Sequence, residues 1–456
     1  MKNINHYINS ALKLLDSDNF EEAKKILDNL HNENPKNPLI IFLISQIYIK
    51  KKEYKVSITY LEKVIKIAPN KPNTKITLAD LYLKIHDYTK CLSILNEIEE
   101  LAQNIVAFFQ LKGNYFKAIG DIENSIKNYT IALKLLRKSK LWNYNTIDTS
   151  IIDPIQKNTF RYASKSKLEH DLNQINYLID NKNLPIYEQK QNLIKVIDNW
   201  PKELHEDKLI YLNDISFNLI KDFYNRVVYI SDYKKIINEP LNKENEYNIL
   251  EKKYLESRES IIVIDDFLNK EALDTLWNYC LESTIWFDSK ENGGYLGAYM
   301  TDGFHHPLLI NIVKNLTEKM PRIFDSKKLT QMWALKYKSD GQGTRLHADD
   351  ALININFWIT PDSAKNDKNN NSGIIIYDKP VPKNWNFEEY NQSDIKIKNY
   401  LKKSESRKIE IPYKQNRAVI FDSKFIHQSQ KIDFKKGYVN QRINITMLFD
   451  RLIRTF

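Results

Sequence analysis

Three short stretches near the C-terminal end carry the residue types that could do chemistry: Tyr337-Lys-Ser-Asp-Gly-Gln-Gly-Thr-Arg-Leu-His347-Ala-Asp349, then Phe425-Ile-His427, then Gln441-Arg442-Ile-Asn444-Ile-Thr446. On an extended strand the two-residue period brings His347 and Asp349 to one face, and a second strand carrying His427 can complete a three-ligand cap. Two imidazoles and one carboxylate on one face of a metal, with the other face open, are the ligand set that non-haem Fe(II) takes in oxygenation chemistry. Asp350 competes with Asp349, but a shift of one residue sends its side chain to the opposite face of the strand. A His-x-Asp pair alone is weak evidence. Its context strengthens it: the pair follows a Gly341-x-Gly343 turn and precedes the alternating run Ala351-Leu-Ile-Asn-Ile-Asn-Phe-Trp-Ile-Thr360.

The elements that must position these residues begin at Ser260-Ile-Ile-Val-Ile-Asp265, a short buried-strand pattern, with Asn269 as the cap of a helix running to about Leu281. A second helix is predicted from Pro307 to about Met320. Strand patterns then dominate, at Gln331 to Lys338, Ala351 to Thr360, Gly373 to Asp378, Lys408 to Pro412, Arg417 to Asp422 and Arg442 to Phe449, with a polar loop from Lys365 to Gly373. Two helices followed by many short strands predict a jelly roll, or double-stranded β-helix, supported by helices on one side. Asn354 and Asn356 alternate with Ile353 and Ile355, which places them in the interior, in reach of a cosubstrate or a metal-bound water. Trp333 and Trp358 read as core or pocket wall, and His305 and His306 as loop or cap residues or as a rim near substrate.

Residues 260–450 resemble the Fe(II)/2-oxoglutarate-dependent dioxygenases, most closely the prolyl-hydroxylase-like group. The resemblance implies that His347, Asp349 and His427 are iron ligands and that Tyr337, ten residues before the first ligand, contacts the cosubstrate. It also implies a basic residue after the distal histidine that clamps the far carboxylate of 2-oxoglutarate. Arg442 suits this role because its planar fork matches a carboxylate. It lies fifteen residues past His427, a longer spacing than is usual in that family, which the insert Asp433-Phe-Lys-Lys-Gly437-Tyr-Val-Asn can absorb as a hairpin loop. Lys435 and Lys436 are rivals beside Gly437. Asn444 stands where the family often has a hydroxyl residue and can donate to the same carboxylate. The implied reactants are Fe(II), 2-oxoglutarate and O2, giving succinate, CO2 and a hydroxylated C–H bond. Because Asp349 keeps the carboxylate that related halogenases replace, hydroxylation is the expected outcome.

The first third carries a second signal. Phe20, Tyr54, Tyr88 and Ile122 recur every 34 residues, as do the small residues Ala11, Ser45, Ala79 and Gly113 and the set Ala23, Ser57, Cys91 and Ser125. This resembles the tetratricopeptide repeat, whose paired helices need small residues where they cross. Pro35 and Pro69 sit where that repeat ends its second helix, and Gln103 replaces the proline in the third. The expected organisation is multidomain α + β: a tetratricopeptide α-solenoid of about four repeats over residues 1–138, a helical connector over 139–255 and the oxygenase jelly roll over 256–456.

Bulk composition excludes less. A formal charge of +10 comes from lysines scattered among carboxylates rather than gathered in a block, so nucleic acid is not the expected partner. Two cysteines, Cys91 and Cys280, both in helical patterns, argue against a disulfide framework. The most apolar run, Pro38 to Ile49, is too short to span a bilayer, and the expectation is a cytoplasmic protein with no membrane contact. The leading functional expectation is a hydroxylase of a protein or peptide held on the concave face of the repeats. The alternatives are a small-molecule or sugar hydroxylase with the repeats as scaffold, and a non-catalytic adaptor whose oxygenase fold is a relic.

Overall fold

The computed structural model describes residues 4–139, 141, 160–231, 237–258, 260–291, 293–366 and 372–451. The chain forms two compact units, residues 1–119 and 120–456.

The first unit is a succession of antiparallel helix pairs: α1 (Ile4–Asp16) and α2 (Phe20–Glu33), α3 (Pro38–Lys50) and α4 (Tyr54–Ile67), α5 (Pro72–Lys84) and α6 (Tyr88–Glu97), then α7 (Val106–Ile119). The 34-residue period has a direct structural cause. Phe20, Tyr54 and Tyr88 each open the second helix of a pair, and two residues earlier Asp18, Lys52 and His86 take left-handed backbone (φ 56°, 61° and 62°) to turn the chain. The small residues lie where the helices cross: Ala11, Ser45, Ala79, Ala23, Ser57 and Cys91 are all fully buried, and Ser57 Oγ donates to the Ser45 carbonyl at 3.0 Å. Burial pushes the Cys91 thiol up to about 12, consistent with a packing role rather than a reactive one. Where Gln103 replaces the proline, α6 stops early and a 3-10 turn over Glu100–Ala102 follows.

The division between units falls at residue 119 rather than at the expected 138. Helix α8 (Ile122–Leu136), whose sequence continues the repeat, belongs to the second unit. There Arg137 just beyond it pairs with Asp302, Thr130 Oγ1 lies 3.1 Å from His305 Nε2, and Glu123 pairs with Lys314. The connector is likewise part of this unit. Its helices Lys165–Lys182 and Tyr187–Asp198 share a core with Trp200 and Phe223, beside a ribbon of β1 (Tyr162–Ala163) and β2 (Ile210–Tyr211). Gln174 donates to the carbonyls of Leu281 (3.1 Å) and Ser283 (2.9 Å), tying the connector to the C-terminal region. Not all of its apolar residues pack: Ile215 is 80% exposed.

The C-terminal region is rich in antiparallel sheet. Its strands are β3 (Ile261–Ile264), β4 (Asp288–Ser289), β5 (Tyr295–Tyr299), β6 (Leu329–Tyr337), β7 (Ile353–Trp358), β8 (Ile374–Pro380), β9 (Lys408–Ile411), β10 (Ala418–Asp422), β11 (Phe425–Ser429) and β12 (Ile443–Phe449). Seven form a sheet in the order β3-β10-β7-β12-β6-β5-β4, and three a smaller sheet in the order β11-β8-β9. The large sheet buries alternate residues on its two faces. Ile355, Phe357, Ile445, Met447, Met332 and Ala334 pack against the helices Lys270–Glu282 and Pro307–Lys319. On the other face Leu335, Tyr337, Trp358, Val419 and Phe421 meet Ile374, Ile376, Ile411 and Phe425 of the small sheet. The predicted strands and both helices are found with ends moved by at most two residues. Strands β4 and β5 were not foreseen, since Tyr295-Leu-Gly-Ala-Tyr299 is short and broken by glycine. Residues 367–371 of the predicted polar loop lie outside the described residues.

Candidate metal centre

His427 is carried by β11, as expected, but His347 and Asp349 do not lie on a regular strand. Residue 347 is joined to β11 by an isolated bridge, in which His347 N donates to the His427 carbonyl (3.0 Å) and His427 N to the His347 carbonyl (2.8 Å). The approach to that bridge is pinned from upstream. Gly343 has φ +80°, and a Cβ there would meet the carbonyls of Gln430 (2.7 Å) and Ser429 (2.8 Å). Thr344 Oγ1 then accepts from Ser429 N at 2.9 Å, aligning the loop with β11. The side chains converge all the same: one ligand atom from each of His347, Asp349 and His427 lies within 4.8 Å of the others. His427 Nε2 is 3.4 Å from Asp349 Oδ2 and His347 Nε2 is 3.8 Å from Asp349 Oδ1.

Both imidazoles are oriented the same way. His347 Nδ1 lies 2.7 Å from the Arg345 carbonyl and His427 Nδ1 3.0 Å from the Phe425 carbonyl. A carbonyl only accepts, so each Nδ1 carries a proton and each Nε2 is the ring atom turned inward. Burial, reinforced by the neighbouring His427, pushes His347 down to about 4, so its ring is neutral at neutral pH. Burial raises the Asp349 carboxyl, but His427, His347 and Asn354 outweigh it and hold it below the usual carboxylate range. A neutral imidazole and an ionised carboxylate are the protonation states that metal ligation requires. Among the described residues this is the one cluster of three or more histidine, cysteine or acidic side chains so arranged.

His347, Asp349 and His427 line a cavity of about 620 Å³. Tyr295, Tyr299, Trp333 and Tyr337 form an aromatic wall, and Gln331, Asn391 and Gln392 add amides. Asp350 also lines the cavity, outside the ligand cluster. Arg442 lies on the same face of the large sheet as Asn444 and Thr446, 1% exposed, with its guanidinium over the rings of Tyr337 (4.8 Å), Trp358 (5.6 Å) and Tyr413 (5.8 Å). Its Nε and Nη1 have no hydrogen-bond partner among the described residues. Arg442 itself is absent from the cavity lining, although Tyr337 beneath its guanidinium is part of that lining. Its rivals are on the surface: Lys435 and Lys436 are exposed, and Lys435 Nζ is bonded to the Ser363 carbonyl at 2.7 Å.

Asn444 lines the cavity, but its amide donates to Asn356 Oδ1 (2.9 Å) and Thr446 Oγ1 (3.0 Å), so its donors are spent within the protein. Asn356 lines the cavity too, whereas Asn354 is fully buried and bonds Asp349. His305 and His306 are absent from the cavity lining. His305 is held between Met300 and Thr130, and His306 caps the helix Pro307–Lys319 through Leu308 N at 3.1 Å. Sequence reasoning passed over Thr344, whose position after Gly-x-Gly was a usable signal, and the wall residues Tyr295 and Tyr299.

Comparison with known proteins bears on the repeats. A family model described as anaphase-promoting complex, cyclosome, subunit 3 matches residues 16–98, the span of α2 to α6. These are tetratricopeptide-type repeats. The anaphase-promoting complex subunit 3 of Schizosaccharomyces pombe is 26% identical over 102 residues, which make up 22% of this chain and only 15% of that protein. Among solved structures, MamA from Desulfovibrio magneticus RS-1 is 21% identical, covering 30% of this chain and 76% of its own, with a TM-score of 0.28. A thermophilic tetratricopeptide protein of Thermus thermophilus is 13% identical, covering 29% and 74%, with a TM-score of 0.27. No helix among the described residues is long and apolar enough to cross a membrane.

Proposed function

We propose that this chain is an Fe(II)- and 2-oxoglutarate-dependent hydroxylase whose C-terminal region is a jelly roll and whose substrate is a protein or peptide engaged by the repeat unit. The observation that carries the reading is the convergence of His347, Asp349 and His427 on the wall of a large cavity, with both Nε2 atoms turned inward. The donor set fits ferrous iron, which takes two imidazoles and one carboxylate and keeps positions open. Arg442 fits the far carboxylate of the cosubstrate, since it is buried, charged and has open donors. When bound, iron with 2-oxoglutarate and O2 supplies the oxidising chemistry that hydroxylates a C–H bond.

The protein's part is to orient and enclose. His347 and His427 offer fixed lone pairs, Asp349 supplies the anionic ligand, Arg442 anchors a carboxylate and the aromatic wall excludes water. Amides at Gln331, Asn391 and Gln392 beside the rings of Tyr295, Tyr299 and Trp333 suit a polypeptide backbone. The match of residues 16–98 to an assembly subunit favours a second reading, a non-catalytic adaptor.

Succinate release from 2-oxoglutarate, with Fe(II) and O2, separates the two. The hydroxylase reading expects turnover in the wild type and background in His347→Ala; equal turnover in both sinks it. A captured partner peptide one oxygen heavier after incubation supports the peptide substrate, and turnover with a sugar or small molecule alone redirects it.

A further inference from the structure

A chain of side-chain amides leads from Asp349 into the large sheet, and its direction is fixed by chemistry. Asn354 Nδ2 donates to Asp349 Oδ2 at 2.6 Å, Asn356 Nδ2 to Asn354 Oδ1 at 2.5 Å, and both Asn444 Nδ2 (2.9 Å) and Thr446 Oγ1 (2.8 Å) donate to Asn356 Oδ1. A carboxylate only accepts, so the Asn354 amide must turn its nitrogen to Asp349 and its oxygen to Asn356. The same constraint passes to Asn356, whose oxygen is left for Asn444 and Thr446. Every member is buried, with Asn354 fully so, and the strand pairing sets Asn356 directly opposite Thr446. Four polar side chains on an inner sheet face, where apolar ones would pack, incur a desolvation cost that needs a compensating role.

We propose that Asn354, backed by Asn356, Asn444 and Thr446, is a positioning array that fixes the orientation of the Asp349 carboxylate through Oδ2, so that Oδ2 faces His427 Nε2 at 3.4 Å and Oδ1 faces His347 Nε2 at 3.8 Å. The inference rests on the proposed metal centre. Its consequence is that the carboxylate cannot swing away from the two imidazoles, so the three side chains would be held ready for a metal ion by the sheet itself. Dipoles aligned head to tail along the array reinforce one another, so its far end contributes as well as Asn354 itself.

Co(II) alone, titrated into the full chain, tests this through its dissociation constant and its visible d–d absorption. Wild type is expected to bind one ion, and His427→Ala to lose it. Asn354→Ala is expected to bind about 10- to 100-fold more weakly, as loss of a ligand's hydrogen-bond partner does elsewhere, and with an altered d–d spectrum because the freed carboxylate would no longer be held in one orientation. A merely structural asparagine would change the melting temperature and leave the spectrum of the bound ion as it was. If Asn354→Ala does not fold, Asn356→Ala cuts the array one step farther out, and should shift the spectrum in the same direction with a smaller loss of affinity. No Co(II) binding by wild type overturns the metal centre and this inference with it. Wild-type binding with an unchanged affinity and spectrum in the variants overturns the array alone.

Discussion

Arg442 is the residue whose behaviour is most sharply constrained. Removing a charge from water without satisfying its donors is costly, and Arg442 meets mainly aromatic faces. Arg442→Leu is therefore expected to stabilise the ligand-free protein by about 1–4 kcal/mol, the range seen when buried ion pairs give way to well-packed apolar side chains. The same change should abolish stabilisation by 2-oxoglutarate. On the proposed function, wild type is expected to gain about 2.7 kcal/mol at a hundredfold excess over the dissociation constant. Urea unfolding of both proteins with and without 2-oxoglutarate reads the two effects together. A destabilised Arg442→Leu that still responds to 2-oxoglutarate would remove Arg442 from the site.

Among elements, the loop from Gly341 to Asp349 does what a strand was expected to do. A single bridge to β11 and the Thr344–Ser429 contact hold His347 in place, so ligand geometry depends on how closely this loop can approach the end of β11. Gly343→Ala puts a methyl group 2.7 Å from the Gln430 carbonyl at a left-handed φ. The strain should cost about 1–3 kcal/mol and weaken Co(II) binding, because relief moves the loop that carries His347. Calorimetric titration of Gly343→Ala reads the binding loss; wild-type affinity in a destabilised variant would mean that the bridge alone sets the ligand.

At the scale of the whole molecule, the second unit should be acid-sensitive. Burial, against the opposing hydrogen bond that His170 donates to Asp171, pushes His170 down to about 4, and burial followed by repulsion from His305 does the same to His306. Both folded values lie below the ordinary 6.5, so the unfolded chain binds more protons between about pH 6.5 and 4. Stability is then full above pH 6.5 and falls as pH drops toward 4. His306→Asn keeps a helix cap but removes one titrating group, so its stability measured in urea at pH 7, 6 and 5 should fall less steeply than that of the wild type. An identical slope would show that His306 takes no part. His170 sits on the connector helix Lys165–Lys182, so acid weakens the seam that joins this helix to the C-terminal region.

Local physics alone made much of this legible. The 34-residue period is a steric demand repeated at every helix crossing, and the alternation of Arg442, Asn444 and Thr446 with Ile443, Ile445 and Met447 is the two-residue period of a strand with one face on a core. Both follow from neighbours along the chain. Other features depend on residues distant in sequence. The bridge between residues 347 and 427, the commitment of Asn444 to Asn356, the burial of His305 against α8 and the inclusion of residues 120–255 in the second unit all arise from packing. A side chain's type states what it can donate or accept, but only the assembled fold decides which partner it reaches.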